Sequence, residues 1–388
     1  PGVSDGRRSS GSALSRKAMP ADERWPLTST HWGTYRVETE AGVVRALHGF
    51  AEDNDVSPIG SGIVDVLDAP SRIRAPMVRR SWLESGPGSN NHLRGAEPFV
   101  EVSWERAEKL VAAELTRVSR EYGNQAIFGG SYGWSSAGRF HHAQSQLHRF
   151  LKCMGGYTRS VGTYSFAAAE VIVPHVLGDF WQLLLQTTSW RSVVEDGRLV
   201  VAFGGMSLKN GQINAGGIGR HVQREHMLEA RDAGVEFVNV GPIRTDVDAA
   251  LNPQWLAIRP GTDAALLIAL AKTLLDEQLA DLDFLERYTV GMDEFRRYLD
   301  GRDDGIDKNA DWAAAICAIP AEQIRVLARR MARTRSMLSV SWSLTRQHHG
   351  EHAFWAAIAV AAMLGQIGLP GGGITFGYST TNGIGGHN

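Results

Sequence analysis

At 388 residues the chain is long for one hydrophobic core, so two or three domains are expected. A charged fraction of 21% and a net charge of −2 exclude a strongly basic nucleic-acid binder and an acidic disordered chain. Two cysteines without a C-x-x-C spacing exclude a four-cysteine iron–sulfur cluster or structural zinc site in this sequence and argue against a disulfide framework.

Residues 1–24 are small and polar and read as a disordered leader. Arg7-Arg8 is followed by a polar stretch where an export signal needs an apolar one, so a cytoplasmic location is expected, with a periplasmic one open if a true leader is missing. The sequence starts without Met and ends at Gly386-His387-Asn388, which reads as part of a longer protein. No apolar run reaches the roughly 18 residues of a membrane span.

Alternation over 34–39, a Glu40-Ala41-Gly42 turn and a return over 43–47 predict a β-hairpin. Residues 51–97, broken by Pro58, Pro70, Pro76 and Pro87, predict a long irregular loop of the kind that binds or covers a ligand. Ser103 opens a helix over 104–122 that Gly123 stops. A short strand over 126–128 runs into a glycine turn, and helices follow over 136–154 and 166–176. The apolar run 199–203 reads as a strand covered on both faces. A helix over 220–233, a strand over 235–240, a Thr262-capped helix to 275, a helix over 320–333, a strand over 337–342 and an apolar helix over 351–364 complete the alternation. The fold class is α/β and multi-domain: doubly wound, parallel-sheet, Rossmann-like domains with a small N-terminal β region. The expected division is the leader, a β-rich region over 25–75, an αβα region over 76–185 continued by 345–388, and a Rossmann-like dinucleotide-binding region over 186–344.

Two turns carry the chemistry. The stretch 128–136 presents Ser131, Tyr132, Gly133, Trp134 and Ser135, and it is echoed by Gly162-Thr163-Tyr164-Ser165. Glycine lets backbone approach a bound group closely, and Tyr and Trp join an apolar body to a polar tip. On bare chemistry, core aromatics and an N-cap serine are the commoner explanations. Ser165 lacks the G-x-S-x-G elbow of a serine hydrolase. Neither G-x-G-x-x-G nor a Walker A loop occurs in the strand–helix series. The turn after 199–203 instead offers Gly204, Gly205, Lys209, Asn210 and Gln212, which suit phosphate and a base or pterin edge as well as they suit a surface turn. Val240 and Gly241 end the next strand, where nucleotides dock in open sheets. Gly261, Thr262 and Asp263 put a carboxylate at a helix start, able to accept from guanine or to cap the helix. His141, His142 and His148, and then His348, His349 and His352, invite a zinc reading, but none matches H-E-x-x-H, and solvated or core imidazoles account for them better.

Taken in order, seven strings resemble the dimethyl sulfoxide reductase family of molybdenum enzymes. They are His31-Trp32-Gly33, Gly130-Ser131-Tyr132-Gly133-Trp134, Gly162-Thr163-Tyr164-Ser165, Pro260-Gly261-Thr262-Asp263, Ser341-Trp342-Ser343 with Arg346, His348-His349-Gly350-Glu351, and the run from Met363 through Gly365-Gln366-Ile367-Gly368-Leu369-Pro370 to Gly373. The likeness is greatest to the branch of biotin sulfoxide and trimethylamine N-oxide reductases, and it covers the chain from His31 onward. It implies molybdenum held by two molybdopterin guanine dinucleotides, no iron–sulfur cluster, and Ser165 as the protein ligand. An alkoxide is a hard anion suited to a high-valent metal–oxo centre, and Cys153 lies twelve residues too early to replace it. The resemblance makes Tyr132, Trp134 and Arg346 catalytic. It sets Ser131, Gly133, Trp134 and Ser135 against the cofactor, with Lys209, Asn210 and Gln212 near the pterins. Val240, Gly241, Gly261, Thr262 and Asp263 would follow a nucleotide, and Trp342, Ser343 and Arg346 would line the pocket. Gly241 stands where the family often has an acid, which leaves only backbone for that contact. The implied reaction removes oxygen from an S-oxide or N-oxide by oxo transfer to molybdenum, with two electrons and two protons releasing water. The donor would be NADPH, a thioredoxin-like protein or a cytochrome. Family chains are longer and carry a C-terminal domain that closes over a dinucleotide. A catalytically inactive fragment, or a nucleotide-binding relative without metal, is the alternative.

Overall fold

The computed structural model describes residues 24–378 except 89, 131–141 and 215. The expected leader, apart from Arg24, therefore lies outside the described residues. Strands β1 (Leu27–Thr30), β2 (Gly33–Glu40) and β3 (Val43–Gly49) form an antiparallel sheet, one strand more than the predicted hairpin. The predicted irregular stretch 51–97 contains helix α1 (Ile59–Val66), strand β4 (Met77–Arg79) and helix α2 (Arg80–Ser85), and β4 pairs with β5 (Phe99–Glu101). Two glycines masked α1 in the sequence. Gly60 is required because its backbone lies on the buried Tyr35 ring, where an added Cβ would sit 2.4 Å from ring carbon.

Helix α3 (Trp104–Tyr122) starts as predicted, with Ser103 Oγ accepting from the Arg106 N–H at 3.2 Å. A short strand β6 (Phe128–Gly129) follows, one residue beyond the 3₁₀ turn Asn124–Ala126 that occupies part of the predicted strand. Then come α4 (Ala143–Cys153), β7 (Thr158–Arg159), which pairs parallel with β6, and α5 (Ala167–Val176). The predicted start of α4, at 136–141, is outside the described residues. Helices α6 (Phe180–Leu185) and α7 (Trp190–Asp196), unforeseen from periodicity, lead into the main sheet.

That sheet has five parallel strands in the order β10-β9-β8-β11-β12. They are β8 (Leu199–Phe203), β9 (Glu236–Val240), β10 (Gln254–Leu256), β11 (Ser336–Val340) and β12 (Gly373–Phe376). Between them run α8 (Leu208–Gly211), α9 (Gln223–Asp232), α10 (Asp263–Asp276), α11 (Leu282–Tyr288), α12 (Met292–Leu299), α13 (Ala310–Cys317), α14 (Ala321–Arg333) and α15 (Gly350–Met363). Side chains alternate across the sheet, and both faces are covered. Leu199, Val201, Phe203, Val238, Val240, Leu338 and Val340 join one core with α10, α14 and α15. Val200, Ala202, Phe237 and Met337 join another with α7 and α9. This two-sided burial is the physical reason β8 and β11 carry no exposed position.

The chain winds outward from β8 through β9 to β10, then returns to the other side of β8 as β11. The direction of winding thus reverses between β8 and β11, and in open α/β sheets the carboxyl edge at such a reversal is where a ligand crevice forms. The 363–373 string sits at the opposite, amino end. There the buried Gln366 accepts from the Ser336 N–H at 2.6 Å and donates to the Thr334 carbonyl at 2.9 Å. Gly371 allows a close approach, since a Cβ there would lie 2.4 Å from the Gly197 nitrogen. That string is a structural clasp.

The N-terminal sheet is docked on the loop after α8. Asn214 donates its N–H to the His31 carbonyl at 2.8 Å, and Thr34 donates its hydroxyl to the Ile218 carbonyl at 2.8 Å. A fully buried pair, Asp53 Oδ2 and His221 Nδ1 at 2.8 Å, locks the junction. Among the described residues no helix is long and apolar enough to cross a membrane.

Candidate functional site

The crevice is built from the turns that leave β8, β9 and β11. After β8 come Gly204 and Gly205, both with φ near +80°. Their missing side chains make room for protein: a Cβ on Gly204 would lie 2.4 Å from Leu344 Cδ1, and one on Gly205 would lie 2.6 Å from Asp246 Cβ. These glycines stitch neighbouring turns together. Beyond them Lys209 and Asn210 are exposed, and Lys209 Nζ lies 3.8 Å from Asp246 Oδ1. Gln212 is half-buried, and its carbonyl faces His221 Nε2 at 3.2 Å.

After β9, Val240 is buried and Gly241 has both backbone groups engaged. Its N–H donates to the Leu256 carbonyl at 3.3 Å, and its carbonyl accepts from the Trp255 indole at 2.8 Å. Any ligand contact to the Gly241 backbone would therefore meet a carbonyl already accepting one bond, which narrows the backbone-only contact expected there. Asn239, on the same strand, uses its amide nitrogen on the Ile243 and Arg244 carbonyls, and its buried Oδ1 has no partner.

After β11 a 3₁₀ turn, Trp342–Arg346, replaces the last residues of the predicted strand. Ser341 caps it, with Oγ accepting from the Ser343 N–H at 3.3 Å. Leu344 and Thr345 are buried, while Ser343 and Arg346 are exposed. The Trp342 ring packs edge-on against Phe166 at 4.6 Å between centroids, and its buried Nε1 has no partner. Arg346 Nε donates to the Ser165 carbonyl at 3.0 Å, bridging 181 positions of sequence. Ser165 is half-buried, and its N–H donates to Thr163 Oγ1 at 3.1 Å.

Asp263 joins the same edge through the next residue, Gln347, whose side chain bonds its carboxylate. Gly261 lies close to that amide, with Gln347 Oε1 3.3 Å from where a Cβ would stand. Burial pushes the Asp263 carboxyl up to about 6, against the opposing pull of its own backbone N–H and of Gln347. Thr262 does not cap α10 with its side chain; its hydroxyl donates to the Arg259 carbonyl at 2.7 Å.

The structure thus brings Ser165, Trp342, Ser343 and Arg346 to one end of the sheet, links Asp263 to them through Gln347, and leaves Lys209 and Asn210 on the rim. Ser131, Tyr132, Gly133, Trp134 and Ser135 lie outside the described residues. Gln347 and Phe166 were missed from sequence because neither residue type nor spacing announces a contact made across the fold.

Ligand atoms of His349, Glu351 and His352 fall within 4.8 Å of one another. Glu351 stands between the two imidazoles, at 3.7 and 3.9 Å, and the rings stack at 5.1 Å. All three are partly or well exposed, which fits solvated ion pairing. A groove of about 1630 Å³ lies beside this cluster, between α5, α11, α12 and α15. Leu177, Tyr288, Val290, Trp355 and Leu369 line it together with His352, and none of the residues predicted to hold the molybdenum cofactor or substrate does.

The molybdopterin oxidoreductase family matches residues 72–385, and its N-terminal domain matches residues 28–68. The chain belongs to this family. It is 45% identical to a biotin sulfoxide reductase of Cereibacter sphaeroides over 87% of this chain and 45% of that protein. It is 42% identical to a dimethyl sulfoxide/trimethylamine N-oxide reductase of the same organism, over 92% of this chain and 43% of the relative. It is 36% identical to a trimethylamine-N-oxide reductase of Haemophilus influenzae, over 94% and 44%. The chain therefore spans less than half the length of these relatives. The acetylene hydratase of Pelobacter acetylenicus shares the fold, with a TM-score of 0.56 at 19% identity over 88% of this chain and 43% of that one. The family resemblance and the α/β fold class read from the sequence are borne out.

Proposed function

We propose that this chain is the N-terminal half of a molybdenum-dependent reductase that removes oxygen from an S-oxide or N-oxide. The observation that carries the reading is Ser165, held by Arg346 at the carboxyl edge of the sheet where the strand order reverses. Open α/β sheets bind ligands at that edge. The relatives named for sulfoxide and N-oxide reduction support the substrate class, and the match to biotin sulfoxide reductase favours that kind of oxide.

The residues present fit a bis(molybdopterin guanine dinucleotide) group. Asp263 is a carboxylate whose pKa burial raises, and the N1 and N2 hydrogens of a guanine would add two donors to its carboxyl group. Asn239 Oδ1 and Trp342 Nε1 are buried polar atoms without partners at the same edge. Lys209 provides a positive charge on the rim for phosphate. When bound, the group supplies two-electron oxygen-atom transfer. The chain's own part is to hold the Ser165 hydroxyl, orient the nucleotide through Asp263, and donate hydrogen bonds to the substrate oxygen from Tyr132 and Trp134. The electron donor belongs to one of three classes, NADPH, a thioredoxin-like protein or a cytochrome.

The test is Ser165→Ala in the full-length protein, assayed with several sulfoxides and N-oxides and a reduced viologen. The expected result is a folded protein whose turnover is lost and whose molybdenum environment is altered. Turnover near that of the parent would remove Ser165 from the metal. Preparations of the full-length protein with neither molybdenum nor guanine nucleotide would favour the inactive relative instead.

A further inference from the structure

Ser165 is restrained at both of its backbone polar groups. Its N–H is bonded by Thr163 Oγ1 at 3.1 Å, and its carbonyl is bonded by Arg346 Nε at 3.0 Å. The next residue, Phe166, packs against Trp342 with ring centroids 4.6 Å apart, and it also meets Phe180 at 5.3 Å. The Thr163 bond is local and moves with the loop. Arg346 and Trp342 open and close one 3₁₀ turn that hangs directly from β11. They grip two successive residues of a segment far away in sequence.

The turn itself is seated rigidly. Leu344 and Thr345 are buried within it, and Thr345 Oγ1 donates to the Trp342 carbonyl at 2.9 Å. The Trp342 indole rests against Gly377 after β12, where a Cβ would fall 2.2 Å from Nε1. Fixing the N–H and the carbonyl of a residue fixes its Cα–Cβ direction. The side chain then has only its few staggered rotamers to choose from.

We infer that Arg346, with Trp342, is a positioning residue: the turn after β11 clamps the peptide of Ser165 and Phe166 and thereby aims the Ser165 hydroxyl into the crevice. This rests on the proposed reading of Ser165 as a metal ligand, and it gives Arg346 a role distinct from contact with substrate. The guanidinium suits the task because its planar donor set is pre-organised. It acts through a carbonyl, which a lysine reaches with less directional control.

The experiment uses the full-length protein with its cofactor and compares Arg346→Gln, Arg346→Lys and Ser165→Ala. Three measurements are made: amide hydrogen exchange across 163–168, the electron paramagnetic resonance and optical spectra of the molybdenum centre, and kcat separately from KM. In Arg346→Gln, exchange in that segment is expected to rise roughly tenfold as local opening becomes easier. The spectra shift while molybdenum content is kept. The turnover number falls by about 10²-fold, the scale of an ångström-sized misplacement, while KM changes by no more than roughly twofold. Arg346→Lys recovers part of the protection and part of the turnover.

Unchanged exchange across 163–168 in both Arg346 variants would overturn the clamp. A raised KM with unaltered spectra would overturn it too, placing Arg346 on the substrate. The two readings fail separately. If Ser165→Ala leaves the spectra as they were, the ligand assignment falls, while faster exchange in Arg346→Gln still establishes the clamp.

Discussion

The turns after β8 and β11 leave adjacent strands in register, with Phe203 opposite Val340, yet they are built oppositely. The β8 turn is glycine-rich and bears Lys209, and by sequence it is the better phosphate loop. In the structure its glycines are spent on contact with Leu344 and Asp246, and its charged residue points out to the rim. The β11 turn has no glycine, yet it organises the site. It buries Leu344, holds Ser165 through Arg346 and reaches Asp263 through Gln347. A glycine cluster marks close approach, and the approaching partner can be the chain itself.

The largest effect that would break this comparison is on the floor of the β11 turn. Gly377→Val places a Cβ against the Trp342 indole at a residue with φ +90°, and it is expected to cost about 3 kcal/mol or more in urea denaturation. A loss below about 1 kcal/mol would mean that the turn repacks freely. Next, Leu344→Ala should cost about 3 kcal/mol, because Leu344 is 5% exposed. The matching change in the β8 turn, Leu208→Ala at a half-buried position, should cost roughly 1 kcal/mol. Equal losses would erase the distinction between the two turns.

A smaller effect concerns Asp263 and pH. Its folded pKa is raised, so the folded chain binds a proton more tightly than the unfolded chain does. The contribution of Asp263 to stability is therefore greatest below the ordinary carboxylate range and falls as pH rises to about 6. Asp263→Asn should remove that slope and raise stability at neutral pH by on the order of 2 kcal/mol, while weakening capture of guanine nucleotide. A slope that persists in the variant would assign it to another group. The smallest effect is Lys209→Ala, expected within about 0.5 kcal/mol in stability because its partner is 3.8 Å away and the side chain is 73% exposed. Its signature would be weaker, less salt-dependent binding of the nucleotide; a large stability loss would place Lys209 among the packed residues.

Much of the fold was legible. The run 199–203 is apolar at every position because both faces of β8 are covered, and it matches the strand residue for residue. Ser103 and Gly123 bracket α3 as read, since capping is local chemistry. What failed had non-local causes. Helix α1 hides behind Gly60, whose smallness answers to Tyr35 on another strand. Thr262 reads as a cap, yet its hydroxyl turns to Arg259. The strand over 337–342 ends early because Ser341 starts a 3₁₀ turn.

The site divides the same way. Residue identities, in an ordered set of short strings, determined the family, and with it the expectation that a serine at 165 meets a metal. The tertiary structure alone decided which of those strings touch. Arg346 meets Ser165 across 181 residues, and Gln347 meets Asp263, because β11 returns beside β8 and not beside β10. The 363–373 string, as distinctive in sequence as any other, was carried to the opposite end of the sheet. Spacing along a chain encodes helices, strands and caps, because those are made with near neighbours. Contacts between turns depend on strand order, which is settled only when both faces of the sheet are buried together.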